Sequence, residues 1–381
     1  MKKGFKILSI CVLLLFMSLS SAYAGNEDEV VIGKYVKLYS KAMDEERTMI
    51  ISVPDDYDHS SEKYPVLYVL DGSVQTMIEA KADVQMAKYC YSPEMIIVAI
   101  VNNDRNRDMM PGTDAAPNFL RFITEELFDY MKKEYRVDEN QRILYGGSNA
   151  GLFTVFAFLT NPDNFTGYIS SSPTICHRKQ IMMDMVQNMI KKDVKLNKFM
   201  YVIYGDVDFP EVTDTLAVFL PWLRELGQKG LRLKVDYLPE DGHIPYGSLQ
   251  YGLMAMYEGY AYPPEKLETQ GLDSMKAYYG RYSKRVGYVQ NPPKQKILFF
   301  GQEMLRQNKV KEAVDAFEYA LKLYPDDYTG TLLLAVAHFK DNEMDQARKE
   351  YFLTKEKMKM LNEKSDPPVD EWKELKKKFD S

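Results

Sequence analysis

From about residue 30 to 262 the chain alternates short β-rich runs with stretches whose apolar residues recur every three or four positions. The runs are RTMIISV, PVLYVLD, EMIIVAIV, RILYGG, GYISS, KFMYVIYGD and LKVDYLPE, and the stretches between them include FLRFITEELFDYMKKEY and DTLAVFLPWLRELGQ. A parallel pair of strands needs a long crossover, and an amphipathic helix supplies one. The alternation therefore predicts an α/β fold: a mostly parallel central sheet flanked by helices on both faces, with its ligand site at the carboxyl ends of the strands. The first run, which no helix precedes, is free to run antiparallel at an edge.

The first 24 residues read as an export signal. Lys2, Lys3 and Lys6 precede the apolar run ILSICVLLLFMSL, and an Ala22-Tyr23-Ala24 cleavage pattern follows. That run is about 13 residues long, where ~20 are needed to span a bilayer. Cys11 lies inside the run rather than behind a small residue at its end, which argues against lipid attachment. Cleavage predicts a periplasmic or secreted protein with no membrane segment. It removes three lysines and no acid, so the net charge moves from −6 to −9. A surface of that sign excludes nucleic acid as a partner. The two remaining cysteines, Cys90 and Cys176, are too few for a disulfide framework.

Proline pairs in YPPEKLETQG and YVQNPPKQK break the helical pattern and read as linkers. Beyond them Gly301, Leu305, Asn308, Ala313 and Phe317 recur 34 positions later as Ala335, Phe339, Asn342, Ala347 and Tyr351. Small and aromatic residues at that period resemble the tetratricopeptide repeat, and PPVDEWKELKKKF reads as a capping helix. The expected organisation is a signal over 1–24, an α/β domain over 25–290 and a small all-α segment over 291–381, the last offering a surface to a protein partner.

LYGGSNAGLF, residues 144–153, crowds small residues around one serine between an apolar run and a helical one. If RILYGG is a strand and AGLFTVFAFLT a helix, Ser148 sits on the abrupt turn between them. Residues two before and two after it nearly touch there, so Gly146 and Ala150 must be small, and the hydroxyl is presented at the strand's carboxyl end. A serine hydroxyl needs a histidine base, held by a carboxylate. His59 lies in the polar stretch PDDYDHSSEK, His338 in the helical repeat, and His177 follows the strand after the serine, where it lines the cleft. Only His243, in LPEDGHIPYGSL, leaves room for an acid between itself and the serine. YGDVDFPEVTD offers Asp206, Asp208, Glu211 and Asp214; Asp208 stands clear of the strand end, and Asp206 is the runner-up. Backbone amides of Asn149 and of Gly72 or Ser73 can serve a developing oxyanion.

YPVLYVLDG, IVAIVNNDRNRD, YGGSNAGLF with NPDNFTGYISSSP, YGDVD and LPEDGHIPYGSLQYGL together resemble the esterase branch of the α/β-hydrolases that includes siderophore esterases, S-formylglutathione hydrolases and feruloyl or acetyl-xylan esterases. The resemblance spans roughly residues 33–290. It implies a Ser148, Asp208, His243 triad, an oxyanion hole at Ser73 and Asn149, and a cleft location for Arg105 and Arg107. Here Ala150 stands where glycine is usual, Asp208 where many members have glutamate, and SPTICH lacks a tryptophan that often follows the serine-proline pair. The implied activity is hydrolysis of a carboxylic ester through an acyl-enzyme, the ester being siderophore- or carbohydrate-linked. No metal or organic cofactor is implied. An acyltransferase on the same fold and an inactive binding protein that works through its repeats are the rival readings.

Overall fold

In the computed structural model, which describes residues 30–89, 92–263, 266, 271–361, 363, 366–367 and 369–380, eight strands form one sheet in the order β1-β2-β4-β3-β5-β6-β7-β8. The expected signal and Cys90 lie outside the described residues. The strands are β1 (Lys34–Ser40), β2 (Glu45–Ser52), β3 (Tyr64–Gly72), β4 (Ile96–Val101), β5 (Val137–Gly147), β6 (Gly167–Ser171), β7 (Phe199–Gly205) and β8 (Arg232–Leu238). β1 and β2 form an antiparallel hairpin and β2 pairs antiparallel with β4; from β4 to β8 every pairing is parallel. The first run expected from sequence, β2, is thus antiparallel, but the edge belongs to β1. KYVKLYS carries lysines and exposed tyrosines, so it lacks the apolar density that marks the other strands. β3 and β4 are apolar nearly throughout, and every residue of the short β6, serines included, is buried, because helices cover both faces.

The helices that place the site are α1 (Val74–Tyr89), the single turn α2 (Arg105–Asp108), α3 (Ala115–Arg121), α4 (Phe128–Glu134), α5 (Asn149–Thr160), α6 (Lys179–Lys191), α7 (Pro210–Glu225) and α8 (Ser248–Met256). A π turn, Phe122–Leu127, joins α3 to α4, so the long helix expected there carries an interruption. α5 is buried from Asn149 to Leu159, which explains why it is apolar all round rather than amphipathic.

Helix α9 (Gly271–Val286) leads to α10 (Lys294–Arg306), α11 (Val310–Leu323), α12 (Tyr328–Lys340), α13 (Met344–Met360) and α14 (Asp370–Phe379). The repeated small and aromatic positions Gly301, Ala313, Phe317, Ala335, Ala347 and Tyr351 are all buried. Trp372 and Leu375 of α14 are buried with Tyr351, the capping role expected of that segment. Lys294 ties this segment to the sheet domain, pairing with Glu62 at 2.6 Å and Asp327 at 3.1 Å.

Candidate active site

β5 delivers the chain to Ser148, whose backbone sits at φ 58°, ψ −122°, and α5 starts at the next residue. Left-handed φ in a non-glycine residue persists only where the surroundings impose it. Here Ser148 N–H donates to the Ser171 carbonyl at 2.9 Å, and its own carbonyl accepts from Leu152 N–H at 2.9 Å and Thr174 N–H at 3.3 Å. The small-residue requirement is visible at Gly146: a Cβ there would lie 2.5 Å from the carbonyl oxygen of Ala150 and 2.8 Å from its Cβ.

Beyond β7, the Asp208 side chain is fully buried and its Oδ1 lies 2.7 Å from His243 Nδ1. The same oxygen accepts from Phe209 N–H at 2.7 Å. An ionised carboxylate can only accept, so such a partner favours a proton on Nδ1 and directs the Nε2 edge of the ring away from the acid. Asp206, the runner-up, is spent on the loop: its Oδ1 accepts from Glu240 N–H at 2.7 Å. Val207 N–H donates to the Asp241 carbonyl at 3.0 Å, so the acid and histidine loops are stitched together.

The histidine loop also abuts the serine turn. Ile244 lies 3.0 Å from where a Cβ on Gly147 would stand, and its N–H donates to Ser172 Oγ at 3.0 Å. Ser172 follows the residue that accepts from Ser148 N–H. Asp71, Ser148, Ser172 and Ile244 all have φ between 42° and 58°. For the β-branched Ile244 this is a marked outlier; Asp71 lies in the last two residues of β3, and the other three lie in segments that leave the carboxyl ends of strands.

Asn149, first residue of α5, and Ser73, which follows β3, bring the two expected oxyanion donors to the same end of the sheet. Ser73 starts α1: its Oγ accepts from Thr76 N–H at 3.0 Å and its carbonyl from Met77 N–H at 2.9 Å. Arg105 makes a two-pronged pair with Asp71, Nε to Oδ1 at 2.7 Å and Nη2 to Oδ2 at 2.9 Å. Its neighbour Arg107 turns away to Asp108 and Glu45. His177 is exposed with Nδ1 3.0 Å from Asn149 Oδ1, which also accepts from Thr174 Oγ1 at 2.6 Å. Asn102, Asn106 and Thr174 escaped the sequence reading, because single polar residues in loops carry no periodic or motif signal. His59 faces Glu363 at 3.0 Å and His338 faces Glu343 at 2.6 Å, both remote from Ser148, Asp208 and His243 in sequence and in the elements they join.

Exposed apolar side chains flank the histidine: Val207, Phe209, Ile244 and Tyr246. The Phe209 ring stands 5.1 Å from the imidazole. Burial pushes the Cys176 thiol up, which disfavours it as a rival nucleophile. Among the described residues no three or more His, Cys, Asp or Glu side chains are grouped to hold a metal ion.

Residues 40–204 match the family described as "Putative esterase", and residues 304–357 match a tetratricopeptide repeat. The first match contains Ser148 and ends before Asp208 and His243. The ferri-bacillibactin esterase of Bacillus subtilis is 26% identical over 139 residues, which cover 35% of this chain and 48% of that protein. The siderophore triacetylfusarinine C esterase of Aspergillus fumigatus is 30% identical over 129 residues, 29% of this chain and 44% of that one. The chain thus spans about half the length of the curated relatives it matches. The crystal structure of an IroE-like serine hydrolase from Shewanella oneidensis superposes with a TM-score of 0.66 at 24% identity, covering 76% of this chain and 99% of the other. The eight-stranded, mostly parallel sheet and the comparisons agree: over residues 40–204 the chain is similar to the esterase family, its fold is that of the α/β-hydrolases, and residues 304–357 are similar to a tetratricopeptide repeat.

Proposed function

We propose that this protein is an exported serine hydrolase that cleaves carboxylic esters through an acyl-enzyme. The observation that carries the reading is the buried Asp208 carboxylate on His243 Nδ1 at 2.7 Å, in a loop packed against the turn that presents Ser148. His243 Nε2 takes the proton from the Ser148 hydroxyl as its oxygen attacks the ester carbonyl, and the imidazolium is stabilised by Asp208. The oxyanion that develops is received by the N–H groups of Asn149 and Ser73, at the positive end of α5. His243 then hands its proton to the leaving alkoxide, and the acyl group is released by a water activated in the same way.

The substrate is an ester of siderophore type. Two curated relatives bear names of siderophore esterases, and the apolar rim of Val207, Phe209, Ile244 and Tyr246 suits a ligand with aromatic or alkyl faces. Export follows from the N-terminal signal pattern, and the repeat segment is the surface for a protein partner. A fluorophosphonate probe tests the core of the reading. Wild-type protein is expected to label at Ser148 and Ser148→Ala to remain unlabelled; a wild type that stays unlabelled overturns it. Product analysis on trilactone siderophores, feruloylated and acetylated sugars and aryl esters then ranks the substrates.

A further inference from the structure

We infer that the segment 102–108 is a crossbar that sets the spacing of the two oxyanion donors, with Arg105 and Asn106 as positioning residues rather than substrate ligands; the inference rests on the serine-hydrolase reading. One donor sits on the loop after β3 and the other on the turn after β5, two elements that share strand pairing but whose loops have to be held at a fixed separation. The crossbar reaches both. On the β3 side, Arg105 grips Asp71 through Nε and Nη2, and Asn102 Nδ2 donates to the same carboxylate at 2.6 Å. Asp71 is a non-glycine residue at φ 55°, two positions before Ser73, and needs such a restraint. On the β5 side, Arg105 Nη2 reaches the carbonyl of Gly147 at 3.3 Å, and Asn106 Oδ1 accepts from Asn149 Nδ2 at 3.3 Å. Gly147 and Asn149 bracket Ser148.

The crossbar is itself anchored. Asp104 Oδ1 accepts from Arg107 N–H at 3.0 Å at the start of the turn. Asp108 at its end is fully buried and meets Arg47 Nη1 at 2.6 Å and Arg107 Nε at 2.7 Å. Arg47, also fully buried, stacks over the Phe119 ring at 4.8 Å. By contrast Arg105 and Asp71 are 33% and 31% exposed, so their pair adds little to stability. Its effect is on geometry, where a displacement of about 1 Å can cost ~100-fold in rate. Nε and Nη2 are both engaged by the protein, at the Asp71 carboxylate and the Gly147 carbonyl, so the bidentate edge of the guanidinium is committed to the two loops.

The test compares full-length wild type with Arg105→Lys, Arg105→Gln, Asn106→Ala and Asp71→Asn on p-nitrophenyl esters, after fluorophosphonate labelling of each. Lysine keeps the charge and loses the fork. The expected result is a fall of about 10- to 100-fold in the single-turnover acylation rate. Substrate KM is expected to stay near wild type, as is the melting temperature. Affinity for a trifluoromethyl ketone, which forms a tetrahedral adduct on the serine, falls in step with the rate. Arg105→Gln combined with Asp71→Asn is expected to be no slower than the worse single variant. A raised KM with an unchanged acylation rate, or wild-type rates in both the Arg105 and Asn106 variants, overturns the inference. A wild type that neither labels nor hydrolyses any ester overturns the serine-hydrolase reading, and the crossbar with it. Where Arg105→Gln does not fold, Arg105→Lys and Asn106→Ala carry the comparison.

Discussion

Ser148 holds a backbone conformation that costs about 1–3 kcal/mol in a non-glycine residue. Ser148→Gly is therefore expected to raise stability by about 1 kcal/mol in urea unfolding while reducing ester turnover by about 10⁴-fold or more. The two acids of the DVD triplet separate in the same way. Asp208→Asn leaves His243 without its tautomer-fixing partner and is expected to cost about 10⁴-fold in kcat. Asp206→Asn touches only the Glu240 amide, and a measured loss as large as that of Asp208→Asn would assign the wrong acid. A third residue gives a pH signature. Burial, reinforced by Glu79 and opposed by the Gln250 backbone amide, pushes the Asp83 carboxyl from 3.8 up to about 6. The folded state then binds this proton more tightly than the unfolded chain. Stability from Asp83 is fully present below pH 3.8, declines as the pH rises toward 6 and is flat above that. Thermal melts of Asp83→Asn are expected to lose that slope and to exceed wild type at pH 7. At this scale the expected serine, acid and histidine were named from turn chemistry and chain order, and the structure brings Asp208 and His243 within 2.7 Å. Asn106 and Thr174 were not, because their roles depend on which loops meet, and that is a property of the folded sheet.

Elements were read well where apolar spacing was regular and poorly where it was interrupted. FLRFITEELFDYMKKEY looks like one helix, yet a π turn inserts an extra residue without disturbing the count of apolar positions. That turn brings Glu126 Oε1 to the N–H groups of Lys41 and Ala42, at 2.9 and 3.0 Å, so it caps the β1–β2 hairpin. Glu126→Ala is expected to cost about 1 kcal/mol in denaturant unfolding, since one exposed and one partly buried amide lose their acceptor. β1 itself was missed because its side chains face water on one side and lysine dilutes its pattern. β3, β4 and β7 were found because burial on both faces demands nearly continuous apolar runs.

For the whole molecule, two parts were visible in the sequence but their joint was not. Glu62, Lys294 and Asp327 are scattered along the chain and look like solvated charges, yet Lys294 is only 12% exposed. Burial pulls its ammonium down, but Asp327 and Glu62 together hold it above the ordinary lysine range. Lys294→Met strands two carboxylates at this joint and is expected to destabilise by about 3 kcal/mol. Calorimetry is expected to show the helical segment melting ahead of the sheet domain; one unshifted transition would mean the joint rests on apolar contacts alone.

Glu62 and His59 precede β3, so they mark the amino-terminal end of the strands, whereas Ser148, Asp208 and His243 follow strands at the opposite end. A strand of seven residues spans roughly 23 Å. The joint to the repeat and the proposed active site therefore lie at opposite poles of the sheet. A partner gripped by the repeat would leave the mouth of the proposed enzyme open to arriving ligand, and turnover is then expected to be the same whether gripped or free.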